Sequence, residues 1–599
     1  MNRKIFFIYL ALLSSLYVSA QRYDDYIGAG HDNNIKVLSS SSKSIVSLDY
    51  QAKGESTING SGLDYKLMEA SRFLTQSTFG PDMNTIEEVA DMGIENWLDD
   101  QLNKPATNFL NSLYDNFNAI NQWRLTHGVD STDIADSPSW TNFLYTWWEN
   151  NIFNDDMVRQ RVAFALSEIL VVSLESDLSS FPEALASYYD IFSEGAFGNF
   201  RDIMDRVTYH MAMGYYLSHL NNPKTIPSEN IHPDENYARE IMQLFTIGLY
   251  ELNNDGTRKH DADGNDIPTY TNDDIKELAK VFTGLGPGAI LPNQWVTEPN
   301  FSYSIWISDM TVPMKMYNDW HEQGEKVLLN GYVISDGNDG DTDIKLALDY
   351  LFNHPNTGPF ICKQLIQKLV KSNPSSEYVD RVASVFNSNE SGIRGDMKSV
   401  IKAIFMDEEA RDCHWMEDST NGKLREPLLR YLAFTRATDK DQAFGNYWNI
   451  GWSFWQETGQ APMASPSVFN FYLPYFQPNG AIADEGLIAP EFQIHNSRTS
   501  VGYMNNVYRW ARWQILFEDW VEESPNATVD FYRLEPMSRD PEVLLNYFDI
   551  IYTYGTLSDE TRDIIKETVS ELSGSDYKYN RATLASYLML ISPDFNIIK

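Results

Sequence analysis

The sequence predicts a mainly α fold, one large multi-helix domain with a few short β-hairpins. Three observations carry this expectation. Apolar residues recur at i, i+3 and i+4 through most of the chain, strand-like alternation is scarce, and no long linker interrupts the pattern after residue 65. At about 150 residues per domain, 599 residues would allow about four domains. The missing linkers favour a single helical body over 66–599, or two packed lobes. No helix-pair period repeats, which excludes a solenoid.

The first elements are an address and a leader. Arg3 and Lys4 precede an apolar run, Ile5 to Val18, and Val18-Ser19-Ala20 supplies a small-x-small cleavage site. Residues 1–20 therefore read as a secretory signal peptide, and the chain as exported, to the periplasm or the extracellular space. Residues 21–65 hold a serine run at 39–42 and no sustained period, so they read as a flexible leader. No later stretch reaches the roughly 18 apolar residues of a membrane span.

From Tyr65 the pattern is helical, with Leu67, Ala70, Phe73 and Leu74 on one face. Phe79-Gly80-Pro81 stops that helix, and Gly93 divides the next two short ones. Further helices are expected at about 139–153, 156–174, 181–193, 199–219, 234–248, 272–283, 342–353, 358–371, 376–388, 395–406, 424–437, 485–519, 540–554, 558–572 and 578–591. Lys326 to Ile334 reads as a short hairpin, and the connection 252–270 as another.

Composition narrows the function. Asp and Glu number 84 against 46 Lys and Arg, a net charge of −38. Such a surface repels phosphate, so nucleic acid and anionic membranes are not expected partners. Two cysteines exclude a disulfide scaffold and multi-cysteine metal sites. Cys362 reads as a small core residue on a helix stripe, with a Cys362–Cys413 disulfide as the alternative. No nucleophile elbow, H-E-x-x-H helix, Walker loop or glycine-rich dinucleotide turn is present.

Four constellations remain as candidate chemistry. In Asp234-Glu235-Asn236-Tyr237-Ala238-Arg239-Glu240 the acids sit in a first helical turn, and Glu235 and Arg239 are placed to pair at i, i+4. Glu235 and Glu240 are candidate catalytic carboxylates, and Asn236 and Arg239 candidate ligand-binding residues. A buried polar lock between helices is the competing reading. Glu168, inside the apolar run Val162–Val172, reads as paired with an arginine from another helix, with a raised-pKa general acid and a solvent-facing carboxylate as the alternatives. Asp261, Asp263 and Asn265 sit at positions 1, 3 and 5 of a loop and would offer oxygen ligands to a weakly bound Ca²⁺. Position 6 is Asp266 rather than glycine, so a polar hairpin turn competes. Asp336, Asn338, Asp341 and Asp343 form a second acidic loop, with Asp341 a candidate cap. Finally, His321, Lys326, Arg425, Glu426, Gln460, Asn470, Glu491 and His495 lie in separate stretches that would converge on one cleft. Among them His321, Glu426 and Glu491 are candidate catalytic groups, and Arg425, Gln460 and Asn470 candidate ligand contacts. At least one of Arg239 and Arg425 is expected to meet a carboxylate from another stretch, largely out of water. The aromatic clusters Trp147-Trp148, Trp452 with Trp455, Trp510 with Trp513, and Tyr472 to Phe476 read as core, or, where exposed, as platforms for sugar rings.

Several stretches are recognisable together: Ala70 to Pro81, Arg159-Gln160-Arg161-Val162-Ala163-Phe164, Ala196 to Asp202, His210 to Leu220, Pro233 to Glu240, Lys280 to Gly284, Asp343 to Thr357, Lys423-Leu424-Arg425-Glu426-Pro427, Pro466 to Tyr472 and Ala489-Pro490-Glu491-Phe492-Gln493. In this order they resemble the bacterial family called domain of unknown function 1800, over roughly 66–599. The resemblance implies an exported, mainly helical, uncharacterised protein and brings no activity, cofactor or catalytic residue. Many members carry a Phe-Trp-His-Asn-His-Phe run where this chain has Phe164-Ala165-Leu166-Ser167-Glu168-Ile169. A histidine-bound metal is therefore not carried over.

Two functions of different class follow. One is a binding or scaffold role at the cell surface or in the periplasm, with an extracellular glycan or an exported protein as partner. The other is a carboxylate-dependent hydrolase acting on extracellular glycans.

Overall fold

The computed structural model describes residues 65–412, 418, 420–441, 451–513 and 528–599. The expected signal peptide, the expected leader up to residue 64 and Cys413 lie outside the described residues, and Tyr65 already belongs to the first helix. The architecture is mainly α, with four two-stranded antiparallel pairs. The first helix, Tyr65–Ser77, ends before Gly80, whose φ of 115° suits glycine and whose missing Cβ lets Ala433 approach. Asp82 caps Met83–Met92 by accepting from the Thr85 amide, and Gly93 at φ 87° separates it from Ile94–Gln101.

Four expectations need correction. The helix Phe109–Thr126, capped by Asn108, was not expected. The expected helix 156–174 stops at Ser167. Residues 169–172 and 174 are buried, and Leu174 donates its amide to the Met463 carbonyl at 2.7 Å. A run that is apolar on every side obeys tertiary partners rather than helical period. The expected helix 199–219 breaks at His210, whose Nδ1 accepts from the Ala212 amide and so caps Met211–Tyr216. The helix expected from 424 starts at Pro427, because Lys423–Leu424 instead pair with Ile597–Ile598.

The hairpin Lys326–Leu328 with Tyr332–Ile334 forms as expected, and bridges at Tyr250–Pro268, Leu252–Arg258 and His260–Asp266 make the second one. Of the expected helix 485–519, Ser497–Tyr508 is α-helical and continues through a wider turn at Arg509–Trp513; residues 514–519 lie outside the described residues.

One hydrophobic cluster runs from Met68 to Phe595. Trp147 and Trp148 pack edge-to-face within it, and Trp510 meets Tyr431 at 4.9 Å and stacks on Phe434 at 5.7 Å. The side chains of Trp452 and Trp513 lie outside what is described. Cys362 is buried in the helix Thr357–Leu369. Among the described residues no helix is long and apolar enough to cross a membrane.

Candidate functional site

Five separate stretches bring polar groups to one place. The helix Met157–Ser167 ends at Glu168, and Lys368 projects from the end of Thr357–Leu369. Glu426 is the residue before Pro427 at the start of Pro427–Ala437, where the helix N-terminus favours a negative charge. Gln460 follows Gly451–Thr458, Asn470 and Tyr472 lie in the next loop, and Glu491 sits in the turn Pro490–Gln493.

Glu168 faces Lys368 Nζ at 3.3 Å and accepts from Asn470 Nδ2 at 3.2 Å. The Tyr472 hydroxyl lies 3.3 Å from Glu168 Oε2 and 3.0 Å from Glu426 Oε1, so it bridges the two carboxyls. Gln460 donates to Glu426 Oε2 at 2.6 Å while its own oxygen accepts from the Leu428 amide. Lys423 pairs with Glu491 at 3.1 Å, and both Lys423 and Arg161 donate to the Lys368 carbonyl.

Burial and the nearby Glu426 carboxylate push the Glu168 carboxyl up to about 7, against the pull of Lys368. Glu426 goes the other way. Burial opposes its ionisation, but Lys423, Lys368, a hydrogen bond from Glu168 and Arg161 hold it below the ordinary carboxylate range. The two carboxyls are therefore pushed in opposite directions and titrate as a pair. Burial pushes Glu491 up as well, opposed by Lys423. Such a pair is chemically able to give and take a proton. It is also closed: the side chain of Glu168 is 3% exposed, and Glu426 as a residue is 1% exposed.

The structure brings together Glu426, Gln460, Asn470 and Glu491 from the set expected in one cleft, and adds Glu168, which the sequence set apart; the cation opposite Glu168 is Lys368 rather than the expected arginine. The sequence did not mark Lys368, Arg161 or Lys423 as site residues, and Tyr472 read only as part of an aromatic cluster. Lys368 left a signal, as a lysine set among the buried Ile361, Leu365, Ile366 and Leu369.

The other candidates do not join the cluster. Glu235 and Arg239 form a half-exposed i, i+4 pair at 3.4 Å, and Asn236 is exposed. Glu240, on the same helix, is buried, and burial raises its pKa against the pull of Arg239. His321 and Lys326 both contact Asp343 Oδ2, at 3.1 and 2.7 Å, in a second buried knot. Asp339, not Asp341, caps the helix Gly340–Asn353. His495 is exposed beside Ser500. Arg425 is buried without the expected carboxylate: it stacks over Phe595 at 4.2 Å, and burial lowers its pKa to about 10. The expectation that at least one of the two arginines meets a carboxylate of another motif out of water is not met: Arg239 pairs within its own helix, half-exposed, and Arg425 lies against Phe595. Asp261 accepts from the amides of Asp263 and Asn265, the geometry of a polar hairpin turn. Among the described residues no group of three or more His, Cys, Asp or Glu is arranged to hold a metal.

The exposed aromatics form a different feature. The segment between Leu285–Gly286 and Lys315–Met316, with the turn after it, holds Trp295 at 78% exposure and Trp306 at 60%. Trp295 is backed by Tyr303 at 6.0 Å and Trp306 by Phe181 at 4.9 Å. Phe301 and Trp320 stack at 4.6 Å with rings 13° apart.

A family model described as a protein of unknown function, DUF1800, matches residues 72–597. No curated protein and no solved structure matches. The match takes in all five stretches that build the polar cluster and the aromatic segment as well, and the chain belongs to the DUF1800 family.

Proposed function

We propose that this chain is an exported binding protein whose partner is an extracellular glycan. The observation that carries the reading is the pair of exposed tryptophans, Trp295 and Trp306, each backed by a second ring. Covering an exposed indole face gains free energy, and the C–H face of a sugar ring fits it. The net charge of −38 makes an uncharged or basic partner more favourable than a polyanion. Arg3, Lys4 and the apolar run to Val18 support export, to the periplasm or beyond.

The Glu168–Glu426 pair favours a second reading, a carboxylate-dependent hydrolase. It is less well supported, because both carboxyls are buried and one tyrosine hydroxyl bridges them. Glycoside hydrolysis needs them about 5–9.5 Å apart with the sugar between them. The cluster is better accounted for as a lock that ties five segments together.

Affinity electrophoresis through gels containing soluble polysaccharides tests the proposal. Wild type should be retarded by at least one neutral glycan, and Trp295→Ala with Trp306→Ala should abolish the retardation at unchanged melting temperature. Equal mobility of wild type in every gel, or retardation that survives both substitutions, would sink it.

A further inference from the structure

Apart from the aromatic segment and the buried cluster, the molecule has a small polar pocket of about 230 Å³. It lies between the hairpin 249–269, the tight turn at Asn330, and the end of the helix Gly340–Asn353. That volume is below the roughly 300 Å³ at which drug-sized sites begin. It equals about seven or eight waters at about 30 Å³ each, the scale of one sugar ring.

Its wall is chemically mixed in a specific way. Tyr350 supplies an aromatic ring, held by stacking on Tyr332 at 4.2 Å with 13° between the planes. Its hydroxyl donates to the Leu329 carbonyl, which fixes the ring. Glu251 and Lys259 face each other at 3.3 Å, so they offer an acceptor and a donor without net charge. His354 is buried, and its Nδ1 accepts from the Asn356 amide. In the neutral ring Nε2 then carries the proton, and no protein partner for it is found among the described residues. Burial lowers the His354 pKa to about 4, so the ring is neutral near pH 7. The Asn356 side chain is fully engaged with the backbone of Ile247, Tyr250 and Leu252, which makes it scaffold. Asn353, exposed at the rim, keeps its amide oxygen available, its Nδ2 being given to the Asp349 carbonyl.

We infer that this pocket binds a single neutral sugar ring. The Glu251 carboxylate accepts from vicinal hydroxyls, Lys259 and His354 Nε2 donate to ring oxygens, and the Tyr350 ring lies against the apolar face. With Lys259 already neutralised by Glu251 and the histidine neutral, the pocket offers no free positive charge to a phosphate or carboxylate. The pocket is separate from the aromatic segment in sequence and in lining residues, so this inference stands or falls without the reading given above.

Saturation-transfer NMR on the full chain tests it, with D-glucose, D-galactose, D-mannose and N-acetyl-D-glucosamine as probes and inorganic phosphate as competitor. At least one sugar should show saturated ring protons, undisturbed by phosphate. Glu251→Gln and Asn353→Ala, both at positions with solvent access, should each weaken binding while melting like wild type. The first should cost about tenfold, the scale of one charge-assisted hydrogen bond. The signal should persist in the Trp295→Ala, Trp306→Ala double variant. The inference is overturned if no sugar gives a signal, if phosphate displaces it, if both pocket variants bind as wild type, or if the tryptophan variant alone abolishes binding.

Discussion

A carboxyl group removed from water resists losing its proton, and Glu168 sits among apolar residues beside a second carboxylate. Its pKa is about 7 in the fold against an ordinary value of 4.5. Between those values the folded state binds more protons than the unfolded chain. The stabilisation is therefore complete below about pH 4.5 and is lost as pH rises through about 7. Glu149, pushed up to about 7 by burial, and Asp190, pushed to about 6, act in the same window. Glu168→Gln isolates one group. Its melting temperature should fall less than that of wild type between about pH 5 and about pH 8, and identical profiles would refute the assignment. Lys423→Ala should behave oppositely, since it strands Glu491. Breaking a buried pair costs about 3–5 kcal/mol. The loss should be larger at about pH 8, where Glu491 cannot escape by taking up a proton. Denaturant melts at the two pH values measure it.

At the scale of elements, two arginines that look equivalent in sequence separate. Arg239 lies on a helix beside Glu235 with its charge reaching solvent, so Arg239→Ala should cost only about 0.3–0.5 kcal/mol. Arg425 is buried against Phe595, and its removal should cost about 2 kcal/mol or more. Paired chemical melts of the two variants check this, and equal losses would contradict it. The reason Arg425 is buried is itself non-local. Ile597–Ile598 pair with Lys423–Leu424, the Arg425 amide donates to the Asn596 carbonyl at 2.7 Å, and Arg72 Nε donates to the Lys599 carbonyl. Deleting residues 594–599 should lower the melting temperature by many degrees and loosen the segment that delivers Glu426. Scanning calorimetry of the truncated chain would show a transition like that of wild type if this were wrong. Helical period made most of these elements legible, including the break at Gly93 and the hairpin at 326–334. It failed where contacts far along the chain decide. Residues 169–174, apolar except for Ser173, follow Met463, and residues 423–424 follow the chain end; the break at His210 is instead local, a side-chain cap on the Ala212 amide.

Over the whole molecule, the distinctive stretches do converge, but on an interior. Glu426, Gln460, Asn470 and Glu491 were visible as polar residues in recognisable stretches and do share a location, while His321, Lys326, Arg425 and His495 of the same set lie elsewhere and Glu168, read separately, joins the first four. Whether the location is open to a ligand is decided by packing, which spacing along the chain does not encode. The same limit applies at Asp261, whose side chain binds its own turn, and at Arg239, whose partner is one helical turn away. Exposure sorts the aromatics likewise. Trp147, Trp148 and Trp510 are core, whereas Trp295 and Trp306 stand in solvent. The account therefore assigns stability to the polar cluster and binding to the aromatic segment. The most direct test is glycan retardation of three proteins side by side: wild type, the Trp295→Ala, Trp306→Ala double variant, and Glu168→Gln. The account predicts retardation of wild type and Glu168→Gln alike, and free migration of the tryptophan variant. Loss of retardation in Glu168→Gln, with the tryptophan variant still bound, would contradict it and move the site to the carboxyl pair.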